Sequence, residues 1–306
     1  MQKTAFLFPG QGSQYVGMGK SLADAFPAAA RVFVAADDAL GFSLAKLCFE
    51  GPEDELKLTE NQQPALVAVS TAALAVLSDL GFKPDYVAGH SLGEYSALVA
   101  AGSLDFSDAL RVVRKRGQYM QQAVPQGVGA MAALLKLPDG KLEDILFDAA
   151  QGEVVTAANL NSPDQVVIAG HAGAVARAME LAKAAGAKRT IPLQVSAPFH
   201  CPLMVLAQES LKVVLDRTIF RELAVPLVNN WQATLVQNAA EARYGLYQQV
   251  PNTVRWVESM RLLVKQGVTR CIEVGPGTVL SGLMRNIDPS VTCFKFGEAA
   301  DLEKLQ

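Results

Sequence analysis

The chain has few of the residues that define disulfide-rich or zinc-binding proteins. It contains 4 cysteines in 306 residues, at positions 48, 201, 271 and 293. They are far apart and form no C-x-x-C pair, so their spacing favours neither a disulfide framework nor a structural zinc site. We therefore expect a protein of a reducing compartment, the cytoplasm, that uses no metal and no other cofactor.

The chain also has no strong excess of charge and no long hydrophobic run. It has 27 Lys and Arg against 30 Asp and Glu, whereas nucleic-acid binders carry a strongly basic face. The longest apolar segment, residues 65–77, is shorter than the roughly 18 to 20 residues of a membrane span. The apolar start is interrupted by Pro9 and Gly10, which does not match a signal peptide. We expect a monomer that binds neither nucleic acid nor membrane.

Short apolar runs, each followed by a glycine, mark the first structural units. Hydrophobic residues make up 50% of the chain, enough for a sizeable core. Residues 4–8, 85–89 and 271–275 read as strands, and helical periodicity follows each of them. This pattern is typical of an α/β fold with a mostly parallel sheet, whose functional loops follow the carboxyl ends of the strands.

The pattern changes at Gly129. From there to Val195 the segments read as strand, helix, strand, strand, helix and strand, which is the order of a ferredoxin-like unit. The strand and helix alternation resumes afterwards, so we interpret the unit as an insertion. The sequence predicts a ferredoxin-like subdomain at 127–195, inserted into a catalytic domain made of 1–126 and 196–306.

The stretch "GHSLG" places Ser91 between a predicted strand and a predicted helix. This is the context of the G-x-S-x-G nucleophile elbow of α/β-hydrolase-like domains, in which a strained turn exposes the serine hydroxyl. The backbone N–H of Leu92, at the start of the helix, is placed to stabilise an oxyanion. A serine that only caps the helix is the alternative. The combination of strand, elbow and helix favours a nucleophile.

A serine nucleophile needs a base, and the chain offers 3 histidines. His90 follows the strand next to Ser91 and should point away from it, in a packed role. His171 falls in a tight turn of the insert and is predicted to lie at the surface. His200 lies between two prolines on an irregular segment, where catalytic groups are common. We predict His200 as the base, with a buried structural histidine as the alternative; spacing identifies no triad acid.

An arginine interrupts the apolar face of the helix near residue 112. That face is formed by Ala109, Val112, Val113 and Met120. Arg116 occupies the position that completes it at helical spacing. Burying a guanidinium costs roughly several kcal/mol of folding free energy unless the group is paired. Its partner is either an acid elsewhere in the fold or the carboxylate of a ligand.

The glycine-rich stretch "PGQGSQY" does not match a dinucleotide-binding motif. The third glycine of G-x-G-x-x-G is replaced by Tyr15. Two glycines flank Gln11 and allow its backbone N–H to approach the site. In α/β-hydrolase folds, an early loop supplies the second oxyanion donor.

Six motifs in order resemble those of one enzyme family. They are "FPGQGSQ", "GHSLGEYSAL", the arginine of "RKRGQYM", "NSPDQVVIAG", "APFHCPLM" and "EVGPGTVLSGL". Together they resemble the malonyl-CoA:acyl carrier protein transacylases, acyltransferases of bacterial fatty acid synthesis, over essentially the whole chain. Each motif alone is common, whereas the ordered combination is specific.

The resemblance implies a reaction and two partners. A malonyl group would move from malonyl-CoA to Ser91 and then to the pantetheine thiol of an acyl carrier protein, in a ping-pong cycle. The alternatives are a trans-acting acyltransferase of a polyketide pathway, a serine thioesterase or hydrolase, and a scaffold without catalysis.

The resemblance also implies catalytic roles. Ser91 would form the acyl-enzyme, with His200 as base. The family orients its histidine with a main-chain carbonyl, and the matching residue here is Gln249. The chain departs from the family close to this residue, because Thr253 replaces the proline that commonly precedes "V-x-W".

The remaining roles concern binding. The backbone N–H groups of Gln11 and Leu92 would form the oxyanion hole. Arg116 would bind the free carboxylate of the malonyl group. Asn159 and Asn161 match residues that face the site from the insert and are assigned to substrate binding.

Overall fold

The computed structural model describes residues 3–195 and 197–305. In this part of the chain, helices surround a six-stranded sheet, and a four-stranded sheet lies apart from it. This mixed α/β architecture confirms the predicted fold class. The predicted boundary at residue 196 lies outside the described residues, as do residues 1, 2 and 306.

The strands and helices alternate along most of the chain. The strands are β1 (Lys3–Phe8), β2 (Tyr86–Gly89), β3 (Gly129–Leu135), β4 (Val155–Ser162), β5 (Gln165–His171), β6 (Arg189–Pro192), β7 (Leu227–Val228), β8 (Leu235–Val236), β9 (Val268–Val274) and β10 (Thr292–Phe296). The helices are α1 (Lys20–Ala25), α2 (Pro27–Leu40), α3 (Leu44–Glu50), α4 (Glu53–Lys57), α5 (Thr59–Asp79), α6 (Gly93–Ala100), α7 (Phe106–Gln122), α8 (Leu142–Ala150), α9 (Ala172–Ala184), α10 (Val205–Arg217), α11 (Ala239–Gln249), α12 (Trp256–Lys265) and α13 (Val279–Ile287). None of these helices is long and apolar enough to cross a membrane.

The large sheet has the order β10-β9-β1-β2-β7-β8. Its neighbouring strands run parallel except for the last pair, β7 and β8. The register pairs Phe8 with Gly89, so β1 and β2 end side by side. The loops that carry Gln11 and Ser91 therefore leave the sheet at the same edge, where sites of parallel sheets are found.

The small sheet has the order β4-β5-β3-β6 and is antiparallel. Together with α8 and α9, it gives the predicted order of strands and helices between residues 129 and 192. Ile145, Ile168 and Val175 belong to a core of its own, separate from that of the large sheet. The domain bounds 127–195 themselves stay a prediction.

A short backbone bridge joins the small sheet to the chain just after α11. Val254 N–H donates to Ala158 O at 2.8 Å, and Leu160 N–H donates to Val254 O at 2.9 Å. The Thr253 hydroxyl, where the family commonly has proline, donates to Ala157 O at 2.6 Å. Strand β4 is therefore held beside the segment that joins α11 to α12.

The glycines of the elbow are required because a side chain would not fit at either position. A Cβ on Gly89 would lie 1.9 Å from the Gly93 carbonyl, and a Cβ on Gly93 would lie 2.0 Å from Phe8 O. These approaches are possible only without side chains, because α6 starts directly against β1 and β2. Ser91, between the two glycines, has a φ of 50°, in the left-handed region that non-glycine residues rarely adopt.

We predict that Gly93→Ala destabilises the fold. The added methyl group overlaps Phe8 O, and overpacking of this kind costs about 1–3 kcal/mol or more. The matched control is Gly282→Ala in α13, where an added Cβ meets nothing within 4 Å. Alanine is the better helix former by about 1 kcal/mol, so this variant should be neutral or slightly more stable. Urea unfolding measures both free energies, and equal effects would contradict the packing argument.

Candidate active site

Ser91 and His200 meet at the carboxyl edge of the large sheet. Ser91 Oγ lies 2.7 Å from His200 Nε2, so the structure brings the predicted nucleophile and base together. The expectation of an exposed hydroxyl is wrong, because Ser91 is only 9% exposed. Hydrogen bonds with His200 and Arg116 cover the hydroxyl.

The second nitrogen of His200 faces a main-chain carbonyl. His200 Nδ1 lies 2.9 Å from Gln249 O. A carbonyl only accepts, so Nδ1 carries the proton and Nε2 is left to accept from Ser91. Burial, and then the nearby Arg116 cation, lower the pKa of His200 to about 3. The imidazole is therefore neutral at neutral pH, the form that a base requires.

Arg116 enters the site from α7 with its side chain fully buried. Its Nη1 donates to Gln63 Oε1 at 2.8 Å, while Nη2 donates to Ser91 Oγ at 3.1 Å and to Gln249 Oε1 at 3.0 Å. All of these acceptors are neutral.

The cation of Arg116 has no ion-pair partner in the described residues. The structural ion pair considered as an alternative does not form there. Burial lowers the pKa of Arg116, but a guanidinium stays protonated in proteins. The binding of a substrate carboxylate by Arg116 stays a prediction that this geometry supports.

The side chains of Gln249, Asn230 and Glu94 form a hydrogen-bond network that supports the elbow around Ser91. Gln249 Nε2 donates to Ser91 O at 2.9 Å and to Glu94 Oε2 at 2.8 Å. Ser91 N–H donates to Asn230 Oδ1 at 2.6 Å, and Asn230 N–H donates to Glu94 Oε2 at 3.0 Å. Both backbone groups of Ser91 are thereby bound, which stabilises its left-handed conformation.

Gln11 and Leu92 lie where the oxyanion hole is predicted. Leu92 immediately precedes α6, and a Cβ on Gly10 would lie 2.4 Å from His90 O, so the Gln11 loop approaches the elbow closely. Within the described residues, neither the Gln11 nor the Leu92 backbone N–H donates to an acceptor. The assignment of both as oxyanion donors stays a prediction that this geometry supports.

Asn159 and Asn161 approach from β4, and both are buried. Asn161 Oδ1 lies 2.7 Å from Nε2 of His90, whose ring packs edge-on against Trp256. His90 thus has packed and hydrogen-bonded surroundings. Asn159 forms a backbone bridge with Val254. Substrate binding by either asparagine stays a prediction.

The third histidine lies elsewhere. His171 ends β5, and its Nδ1 accepts from the Val154 N–H at 2.9 Å. It is half-buried rather than on the surface. No group of three or more His, Cys, Asp or Glu side chains in the described part of the chain is arranged to hold a metal ion.

Three residues of the site were missed by the sequence analysis. Gln63 lies near the start of α5, where Thr59, Glu60 and Gln62 are polar too, so no apolar face distinguishes it in the sequence. Asn230 follows the short strand β7 at the edge where functional residues collect. Glu94 was part of the quoted motif, but its burial was not apparent from spacing.

The sequence of this chain is similar to those of known acyltransferases. The family model of the acyl transferase domain matches residues 5–285. A protein of Bacillus subtilis (strain 168) named malonyl CoA-acyl carrier protein transacylase is 50% identical over 289 residues, 94% of this chain and 91% of that protein. The protein of that name from Escherichia coli (strain K12) is 47% identical over 97% of each chain.

Solved structures agree with this. An acyl carrier protein S-malonyltransferase from Vibrio cholerae superposes with a TM-score of 0.97, at 44% identity over 100% of both chains. A malonyl-transacylase solved in complex with its type II PKS acyl-carrier protein gives a TM-score of 0.97 at 45% identity, over 99% of this chain and 98% of that one.

The lowered pKa of His200 predicts how the reactivity of Ser91 depends on pH. A small neutral ester such as p-nitrophenyl acetate should acylate Ser91 at a rate that is constant from about pH 5 to 8, because His200 stays neutral there. In Arg116→Ala the cation is lost and the pKa of His200 rises. The acid limb of the pH–rate profile should therefore move to higher pH. Stopped-flow release of p-nitrophenol measures the rate. A wild-type acid limb centred near pH 6.5 would show an ordinary histidine and contradict the prediction.

Proposed function

The chain belongs to the acyl transferase family, and we propose how its site moves a malonyl group. It transfers the malonyl group of malonyl-CoA to an acyl carrier protein. The observation that carries the mechanism is the buried Arg116 cation, bonded only to neutral groups, 3.1 Å from the Ser91 hydroxyl. It lets one site select an acyl group by its free carboxylate.

The first half-reaction acylates the serine. Ser91 Oγ attacks the thioester carbonyl of malonyl-CoA while His200 Nε2 takes the hydroxyl proton. The N–H groups of Gln11 and Leu92 bind the developing oxyanion. The carbon–sulfur bond then breaks, His200 returns the proton to the sulfur, and CoA leaves as the thiol.

The malonyl ester then waits for its acceptor. Its free carboxylate accepts hydrogen bonds from Arg116, including the one that Ser91 Oγ accepts in the free enzyme. A guanidinium binds a carboxylate through two parallel hydrogen bonds. Gln63, bonded to Nη1 at 2.8 Å, sets the plane of the guanidinium, so the acyl group is anchored at both ends.

The second half-reaction uses the same groups in reverse. The pantetheine thiol of the carrier protein gives its proton to His200 and attacks the ester carbonyl, and Ser91 recovers its proton when the tetrahedral intermediate collapses. We assign this supply of malonyl groups to fatty acid synthesis. The likeness to a transacylase bound to a type II PKS carrier supports a polyketide carrier as the second candidate.

We further propose that the enzyme works without a metal or cofactor, as a monomer in the cytoplasm. All groups of the cycle come from one chain, and the cysteine thiols are free. Full malonyl transfer after treatment with a chelator, and the mass of a single chain by light scattering, are the expected results. Loss of activity, or a dimer, would contradict this part of the proposal.

We predict that Arg116→Ala inverts the preference for malonyl over acetyl groups. The variant leaves the malonyl carboxylate buried without its partner, which costs roughly 2 to 5 kcal/mol. At about 1.4 kcal/mol per tenfold, malonyl kcat/KM should fall some 30-fold to several thousand-fold. Acetyl-CoA has no carboxylate, so its transfer should fall far less. The measurement is kcat/KM for both donors with one carrier protein.

The matched control is Arg111→Ala on the same helix. Arg111 is exposed and bonds to Asp108 at 3.0 Å. Its loss should therefore leave kcat/KM unchanged for both donors. If Arg116→Ala, shown to be folded, loses both donors by the same factor, Arg116 does not bind the carboxylate.

A further inference from the structure

Glu94 is a buried carboxyl group that the catalytic cycle does not use. It lies on α6, directly under the elbow, and is 1% exposed. Its Oε2 accepts from Gln249 Nε2 at 2.8 Å and from Asn230 N–H at 3.0 Å. Its Oε1 is buried and has no hydrogen-bond partner among the residues described. Oε2 therefore accepts hydrogen bonds from the groups that support the elbow, whereas Oε1 can bind a proton.

A single amide connects this carboxyl group to Arg116. Gln249 Oε1 accepts from Arg116 Nη2 at 3.0 Å, while Nε2 of the same amide donates to Glu94. Glu94 is the carboxyl group whose charge acts on Arg116. When ionised, Glu94 thus lies one amide away from the Arg116 cation, although the two groups form no direct ion pair.

We propose that Glu94 is the resident counter-ion of Arg116 and takes up one proton on Oε1 when the malonyl carboxylate binds. The inference rests on the proposed binding of that carboxylate by Arg116. Without the proton, two carboxylates would share one buried cation, and an unbalanced buried charge is costly. The proton comes from solvent, and Oε2 keeps both of its hydrogen bonds.

The other titratable groups of the cluster do not compete for this proton. Burial lowers the pKa of His90 and of His200, and it raises the pKa of Tyr95, so all three are neutral at neutral pH. Burial raises the pKa of Glu94 to about 7, against the opposing effects of Gln249, Asn230 and Arg116. A second anion next to Arg116 raises this pKa further.

Calorimetry on the Ser91→Ala variant tests the inference at equilibrium, because this variant cannot form the ester. Binding is measured at about pH 8 in two buffers of different ionisation enthalpy, which gives the number of protons exchanged. Malonyl-CoA should take up close to one proton per site more than acetyl-CoA does. Adding Glu94→Gln should abolish this difference.

The pH dependence of the active enzyme gives a second readout. Between the pKa of Glu94 in the free enzyme and its higher value in the complex, malonyl kcat/KM should fall by up to about tenfold per pH unit, since binding requires a proton. The acetyl profile should be flat. In Glu94→Gln, which mimics the protonated carboxyl, the malonyl profile should also be flat.

The control is Glu273→Gln. Glu273 is another fully buried carboxyl group, bonded to Leu280 and Ser281 at the start of α13, so its loss should leave the malonyl slope unchanged. Equal proton uptake for the two donors, or a slope that persists in Glu94→Gln, would overturn the inference. If Glu94→Gln fails to fold, the difference in proton uptake between malonyl-CoA and acetyl-CoA on Ser91→Ala still tests the inference. Equal losses of both donors in Arg116→Ala would instead overturn the proposed function.

Discussion

The buried charge of Arg116 is the constraint on which the rest of the site depends. A guanidinium in a closed core needs hydrogen-bond acceptors. Here Gln63, Gln249 and Ser91 accept from the two Nη atoms, while Nε has no partner among the described residues. The fold allows this because Gly117, the next residue, has no side chain: a Cβ there would lie 2.6 Å from Thr59 O. Helix α7 therefore packs closely on α5, which carries Gln63.

The same charge affects the base. The Arg116 cation is the second cause, after burial, of the lowered pKa of His200, so the free enzyme holds a weak base beside a nucleophile. Arg116 therefore acts on the site in two ways: it keeps His200 neutral, and in the proposed cycle it binds the malonyl carboxylate.

Much of this arrangement could be predicted from the sequence, because local patterns determine it. The elbow around Ser91 follows from glycine spacing between a strand and a helix, and Arg116 follows from a charged residue on an apolar helix face. The polar network under the elbow could not be predicted in this way. Asn230 and Glu94 are 136 positions apart, and only the packing of β7 against β2 brings them together. The low exposure of Ser91 likewise depends on side chains from distant segments.

We expect the acyl group on Ser91 to go to a thiol and not to water. The most direct measurement isolates the malonyl-enzyme, confirms one malonyl group on Ser91 by intact mass and peptide mapping, and then divides the sample. One part is mixed with carrier protein bearing its pantetheine thiol, and the other with buffer alone. We expect an ester that is stable in buffer and a nearly complete transfer of the malonyl group to the carrier. Free malonate as the main product in the presence of the carrier would contradict it.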